Sequence, residues 1–334
     1  MRYGWDMNIA YELPILGVGA ALPARCVSNN QLVADLAARG VETNSEWIES
    51  RTGIQQRYIC DEAEGTLSLA REAVGKAIAS SGVALDDITV LVVATCSPER
   101  TFPSVAAMVQ GELALPTTCF ALDVNAACGG FLAALSVARG HLLAAGKGTA
   151  VVVGVDVFSR LVDWQDRGTC VLFGDGAGAL VMKVQPQTGV EPVGLLGVSM
   201  GSDGTMASAL QATGGVSLTG TAGVVEMQGR EVFKHAVRQM GSAPALLADV
   251  GLTLNDVDFV VPHQANLRIL EAAAKSLDLP MEKVVVTVDK HANTSAASIP
   301  LALNEAWERF DKGDVLLLQA FGAGFVWGDA VIKL

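Results

Sequence analysis

Three side chains far apart in the sequence are suited to one reaction: Cys128, His263 and Asn293. Cys128 stands in Asp123-Val124-Asn125-Ala126-Ala127-Cys128-Gly129-Gly130-Phe131, between an apolar run of strand character (119–122) and a helical run (132–138). It is therefore placed where a buried strand turns into a buried helix. Unpaired N–H groups and the positive dipole end of a helix N-terminus favour a thiolate, and the two glycines leave the sulfur uncrowded. A lone cysteine is more often a packing residue, so its companions matter. His263, in Pro262-His263-Gln264-Ala265-Asn266, directly follows the strand-like run 258–261. Asn293, in His291-Ala292-Asn293-Thr294-Ser295, follows the apolar run 285–288. All three are expected at the C-terminal ends of strands, the edge where open α/β sheets bind ligands.

The trio suits a reaction with two demands. A cysteine thiolate can take an acyl group as a thioester. His263 and Asn293 can both donate to one carbonyl oxygen and stabilise an enolate in a water-poor pocket. No carboxylate neighbours any of the three in sequence. A substrate carboxylate would not be repelled there, and its loss as CO2 would generate the carbanion.

The elements that must position these groups repeat. Strands are expected at 15–19, 88–95 and 149–157, helices at 66–81 and 103–113, and apolar runs 170–173 and 179–182 flank Gly174-Asp175-Gly176-Ala177-Gly178. Past the linker-like Gln185-Pro186-Gln187-Thr188-Gly189 the order returns. Leu195-Leu196-Gly197-Val198 echoes the first strand, 251–257 echoes 82–88, 258–261 echoes 89–94, and 285–297 echoes the Cys128 turn. Cys128 precedes Gly148 by 20 residues (148 − 128), and Asn293 precedes Gly313 by 20 (313 − 293). The pattern predicts two α/β halves, 1–186 and 187–334, packed back to back with Cys128 and Asn293 as pseudo-equivalent positions. The glycines at 174–178 and at Phe321-Gly322-Ala323-Gly324-Phe325 are read as tight hairpins rather than dinucleotide loops, since strands follow them. A backbone N–H of the second hairpin would join that of Cys128 as an oxyanion hole.

Composition fits such layers: 334 residues, 51% hydrophobic, 17% charged and 5% aromatic. A net charge of −12 argues against nucleic acid as a partner. Six cysteines without C-x-x-C pairs read as reduced thiols of a cytoplasmic protein, and the four histidines show no metal-ligand spacing. Asp6 and Glu12 spoil a signal peptide, and no run of about 18 residues lacks charge and turn signals, so no membrane association is expected.

The chain resembles the β-ketoacyl-acyl-carrier-protein synthase III family of thiolase-fold condensing enzymes. The motifs are Trp47-Ile48-Glu49-Ser50-Arg51-Thr52-Gly53-Ile54, the Cys128 stretch, Asp166-Arg167-Gly168-Thr169 and Phe173-Gly174-Asp175-Gly176-Ala177-Gly178, followed by Gly229-Arg230-Glu231-Val232-Phe233, the His263 motif and Asn293-Thr294-Ser295-Ala296-Ala297-Ser298. The resemblance implies a layered αβαβα fold and Cys128, His263 and Asn293 as the catalytic triad. It implies that Trp47, Arg51 and Arg167 hold the coenzyme A nucleotide, with Thr43, Gly229, Phe233 and Asn266 along the pantetheine tunnel. It further implies a homodimer in which Phe102 reaches the partner's acyl pocket. Phe158, Phe173 and Phe321 are expected in the acyl pocket, whose crowding favours a short primer such as acetyl-CoA. Arg230, Lys234 and Arg238 recur every four residues and, with Arg268, form a candidate docking stripe for an acidic acyl carrier protein. No cofactor or metal is implied; the acyl-CoA thioester is a substrate. Ala323 stands where a glycine is frequent in the family.

The expected activity is decarboxylative condensation of an acyl-CoA primer with malonyl-acyl carrier protein, initiating fatty acid synthesis. Related enzymes of secondary metabolism, or ones using long primers, share these motifs. A cysteine hydrolase also uses Cys, His and Asn, with Asn orienting His. A non-enzymatic acyl-binding module would not need the intact trio.

Overall fold

The computed structural model describes residues 10–334; Asp6, used above against a leader, lies outside them. Nine strands form two sheets: β1 (Ile15–Ala21), β2 (Ile88–Ala94), β3 (Phe120–Val124), β4 (Thr149–Val157), β5 (Asp175–Lys183), β6 (Gly194–Ser202), β7 (Phe259–Pro262), β8 (Val315–Gly322) and β9 (Val326–Lys333). The helices that matter here are α1 (Ser45–Thr52), α2 (Thr66–Ser81), α3 (Gly130–Ala145), α4 (Gly229–Met240), α5 (Ala243–Asp249), α6 (Leu267–Ser276) and α7 (Ser298–Ala306).

The first sheet runs β1-β5-β4-β2-β3 and the second β6-β9-β8-β7. In each, the first two pairings are antiparallel and the next parallel. The repeat read from the sequence is therefore a repeat of topology. The place of β3 in the second sheet is taken by a single parallel bridge, Val260 to Val284. The run 285–288 is thus not a strand. Gln264 Oε1 accepts the N–H groups of Thr287 (2.8 Å) and Val288 (3.1 Å), and its Nε2 donates to Val285 O (3.0 Å), so a side chain replaces the ladder.

Helices α3 and α7 lie between the sheets, α2 covers the outer face of the first and α5 that of the second. The result is five layers, αβαβα. β4 is buried along its whole length because helices cover both faces, which is why its sequence is apolar without alternation. The 19-residue stretch Ala127–Ala145, which joins the preceding 3-10 turn to α3, is long and apolar enough to cross a membrane by length and composition, yet α3 is the central core helix here. Phe131, Leu132, Leu135 and Leu142 on it are fully buried, each contributing about 1.5–3 kcal/mol.

The glycines at 174–178 are not a hairpin: β5 begins at Asp175 and runs through them. Nor is 170–173 a strand, because Asp166 caps a short helix, Arg167–Cys170, and Arg57 donates to Val171 O at 3.0 Å. Gly178 faces Gly154 across β5 and β4, and both sit under the start of α7. A Cβ on Gly154 would lie 2.1 Å from Ala296 O, and one on Gly178 2.6 Å from Pro300 C. These glycines let the second half's helix rest on the first half's sheet. Since backbone atoms are in the way, Gly178→Ala is expected to lower stability by about 1–3 kcal/mol, read as an earlier urea midpoint at unchanged slope.

The second glycine cluster is the expected hairpin, joining β8 to β9 with Gly322 opposite Val326. By element, the twin of the 3-10 turn Ala127–Gly129 is Ser295–Ala297, and Ala127 and Ser295 both have positive φ (45° and 53°). Cys128 therefore corresponds to Ala296, and Asn293 sits three residues earlier than pseudo-equivalence predicts. The equal 20-residue spacing misled because α3 is longer than its counterpart α7.

Candidate active site

A cavity of about 1600 Å³ runs between the halves, and Cys128, His263 and Asn293 all line it. Cys128 is buried in the turn leading into α3. Gly322 presses against it: a Cβ there would lie 2.8 Å from Cys128 N. The β8–β9 hairpin thus packs against the backbone of the turn, and its Ala323 lines the same cavity.

The helix-start argument predicts a depressed thiol, and the structure reverses this. Burial pushes Cys128 up to about 12, while the Ser295 hydroxyl and the residue's own N–H pull the other way. Desolvation wins because the residue is buried. The expectation of no carboxylate nearby also fails in three dimensions. Asp156, fully buried at the end of β4, adds its charge to the upward push on Cys128. Its Oδ1 accepts from Ser97 Oγ (2.8 Å), Cys96 N (2.9 Å) and Thr95 Oγ1 (3.1 Å), and its Oδ2 from Ala296 N (3.3 Å). Asp156 therefore ties the first half's sheet to the second half's turn. Its signal in the sequence is an acidic residue inside an otherwise apolar strand.

Asn293 does not follow a strand; a short helix, Val288–His291, precedes it. Its backbone is held on both sides, N–H to Leu172 O and C=O from Gly174 N, each at 3.0 Å. Ser295 N donates to its Oδ1 at 2.9 Å, which commits the other end of the carboxamide, Nδ2, to the cavity as a donor. His263 follows β7 as expected, and its N–H bonds Gln319 O at 2.7 Å. Burial lowers its imidazole to about 4, so the ring is neutral near pH 7. Nδ1 lies 2.6 Å from Ser298 Oγ, leaving Nε2 for the cavity. A directed carboxamide donor, a neutral imidazole with one ring nitrogen free, and the Cys128 thiol share this space.

Farther along the cavity wall stand Trp47, Arg51, Arg167, Gly229, Phe233 and Asn266. Arg167 packs over the Trp47 ring at 4.6 Å, and Asn266 Nδ2 donates to Arg51 O at 3.1 Å. Thr43 is not on the wall; its Oγ1 is buried without a hydrogen-bond partner. Near the thiol, Phe158 stacks on Phe173 with centroids 4.1 Å apart, and both line the cavity with Phe321. Phe102 is 82% exposed and lies off its own chain's cavity wall. On α4, Val232, Ala236 and Met240 are buried while Arg230, Lys234 and Arg238 are exposed, and Arg268 lies over the Phe233 ring at 6.0 Å. Sequence reasoning gave no role to Cys96, Asp156, Ser295 or Ser298. Ser295 and Ser298 were visible only as parts of the Asn293 motif.

Two family models match the chain: 3-oxoacyl-[acyl-carrier-protein] synthase III over residues 122–204, and the C-terminal part of the same family over residues 247–334. The β-ketoacyl-[acyl-carrier-protein] synthase III of Rhizorhabdus wittichii is 49% identical over 322 residues, covering 96% of this chain and 98% of that protein. The crystal structure of 3-oxoacyl-[acyl-carrier-protein] synthase III from Aquifex aeolicus superposes with a TM-score of 0.87 at 37% identity, covering 96% and 100% of the two chains. The priming β-ketosynthase of the R1128 polyketide pathway matches with the same TM-score at 33% identity over 97% and 96%.

Proposed function

From the premise that this chain belongs to the β-ketoacyl-acyl-carrier-protein synthase III family, we propose that it condenses an acyl-CoA primer with malonyl-acyl carrier protein. The observation that carries this is one cavity lined by the Cys128 thiol, the Asn293 carboxamide with Nδ2 left free and the His263 imidazole with Nε2 left free. In the first half-reaction the Cys128 sulfur forms a bond to the acyl carbon as the coenzyme A sulfur leaves, and the thiol proton ends on that sulfur. In the second, the malonyl group loses CO2, and the enolate oxygen accepts from His263 and Asn293. The carbanion then attacks the acyl-cysteine carbon, the C–S bond breaks, and the Cys128 thiolate takes a proton from solvent water, the one proton that the decarboxylative step consumes. A neutral His263 and an Asn donor leave the malonyl carboxylate unpaired, which favours its loss over its retention. Thiol, imidazole and carboxamide suffice for these steps without a bound cofactor.

The Trp47, Arg51 and Arg167 end of the cavity suits a coenzyme A nucleotide, and the half-buried wall between it and Cys128 suits pantetheine. The exposed cations of α4, with Arg268, offer an acidic carrier protein a docking face on a molecule of net charge −12. Phe102, exposed in one chain, would cover the acyl pocket of a second copy in a homodimer. Intact-mass spectrometry with acyl-CoAs from two to eight carbons, followed by malonyl-acyl carrier protein, tests the reading. An adduct discharged as 3-oxoacyl-carrier product supports it. Discharge as free acid identifies a hydrolase, and no adduct identifies a binding module.

The crowded end of the cavity favours short primers in fatty acid initiation. Phe158 and Phe173 stack face to face where a long acyl chain would extend. Phe158→Ala is expected to raise octanoyl loading relative to acetyl loading by about 10- to 100-fold, since pocket methylenes discriminate by about 1–3 kcal/mol. Equal octanoyl and acetyl loading by the unsubstituted protein would sink the idea.

A further inference from the structure

His263 can stabilise an enolate only if the nitrogen facing the cavity carries a proton, and the neutral ring has two tautomers. Ser298, the first residue of α7, is buried with two hydrogen-bonding neighbours among the described residues. Gln264 N donates to its Oγ at 3.2 Å, using one lone pair. His263 Nδ1 lies 2.6 Å away on the other side. If Nδ1 carried the proton, Oγ would accept twice and its own hydroxyl proton would be stranded in a dry interior, a costly arrangement. Oγ therefore donates to Nδ1, and the ring proton sits on Nε2.

We infer that Ser298 is the positioning residue that fixes His263 as the Nε2-protonated tautomer, making it a hydrogen-bond donor rather than a base. The inference rests on the condensing role assigned to the cavity. Its consequence is specific: His263 does not take the Cys128 proton, because its cavity-facing nitrogen is already protonated. Ser298 belongs to the same motif as Asn293, so one short segment, Asn293 to Ser298, orients both donors. Ser295 N turns the Asn293 carboxamide, and Ser298 Oγ sets the imidazole.

The direct test needs no substitution in the working sample. The protein has four histidines, so nitrogen-15 NMR of imidazole-labelled enzyme resolves each ring, with His263→Gln assigning the signal. The expected pattern for His263 is a protonated Nε2 and an unprotonated Nδ1 at pH 7; the opposite tautomer, or a charged ring, overturns the inference. The second arm measures the half-reactions in single turnover. Ser298→Ala is expected to slow malonyl decarboxylation about 10- to 100-fold, short of the ~10²–10³ for losing such a donor outright. Acyl loading of Cys128 should change less than threefold, and Ser298→Thr, which keeps the hydroxyl, should recover most of the loss. Equal damage to both half-reactions would show a merely structural serine. Unsubstituted enzyme that loads acyl groups yet never condenses them would refute the activity itself, whatever the tautomer.

Discussion

Cys128→Ala protein incubated with acetyl-CoA will show no mass increase, and condensation will fall on the order of 10⁴-fold or more, as for loss of a covalent nucleophile. Only one other thiol lines the cavity, Cys96, and it is poorly placed to substitute. Its Sγ lies 3.4 Å from Asp156 Oδ1, and burial together with that carboxylate holds it well above the ordinary thiol range. An acetyl adduct on the Cys128→Ala protein would therefore be inconsistent with the mechanism. The same geometry fixes a pH dependence. With Cys128 pushed up to about 12, the free enzyme carries a thiol at pH 7. Its alkylation by iodoacetamide should accelerate about tenfold per pH unit from 7 to 10, because only the thiolate reacts. A plateau below pH 8 would mean that the helix start outweighs burial after all.

That contest between helix dipole and desolvation shows where the sequence stops being legible. The fold was readable wherever an element's own residues decide it. Thr149–Val157 is apolar between Thr149 and the lone Asp156, so it is a strand covered on both faces and its ends agree to the residue. The Gly322–Gly324 turn lies between two such runs and is a hairpin. The failures come where a distant group decides. Residues 285–288 have strand composition, yet Gln264, twenty-odd residues earlier, takes their backbone groups and turns the chain into a helix. The glycines of 174–178 looked like a turn because the helix start that needs their bare surface, at 295–301, comes more than a hundred residues later. Asp156 was passed over for the same reason. Its donors come from 95–97 and 296, and nothing local distinguishes it from a stray charge. The three reacting side chains were legible from their motifs, with His263 also marked by the strand end it follows and Asn293 reached in spite of a strand that is not there; the groups that aim them were not.

The aim of those side chains is what the second large effect measures. His263→Ala and Asn293→Ala should each slow malonyl decarboxylation about 10²–10³-fold, while acyl loading of Cys128 changes no more than about tenfold. The asymmetry follows from where charge develops. In loading, a thioester carbonyl is attacked at the Cys128 turn, against which the β8–β9 hairpin packs, and the N–H of Cys128 and one from that hairpin are the proposed donors to its oxygen. In decarboxylation, a full enolate charge forms opposite His263 Nε2 and Asn293 Nδ2, the two groups left free by the Ser298 and Ser295 contacts. Both donors serve one oxygen, so the double substitution should cost less than the product of the single effects. A product of independent losses would place the two donors on different atoms of the substrate. The pH profile of condensation carries a further mark of the same arrangement. Burial holds the His263 imidazole at about 4, so protonation of this ring adds no acid limb near 6.5, where an ordinary histidine titrates. A limb near 6.5 that disappears in His263→Ala would show a solvated, titrating ring and would break the link between burial, neutral imidazole and enolate stabilisation.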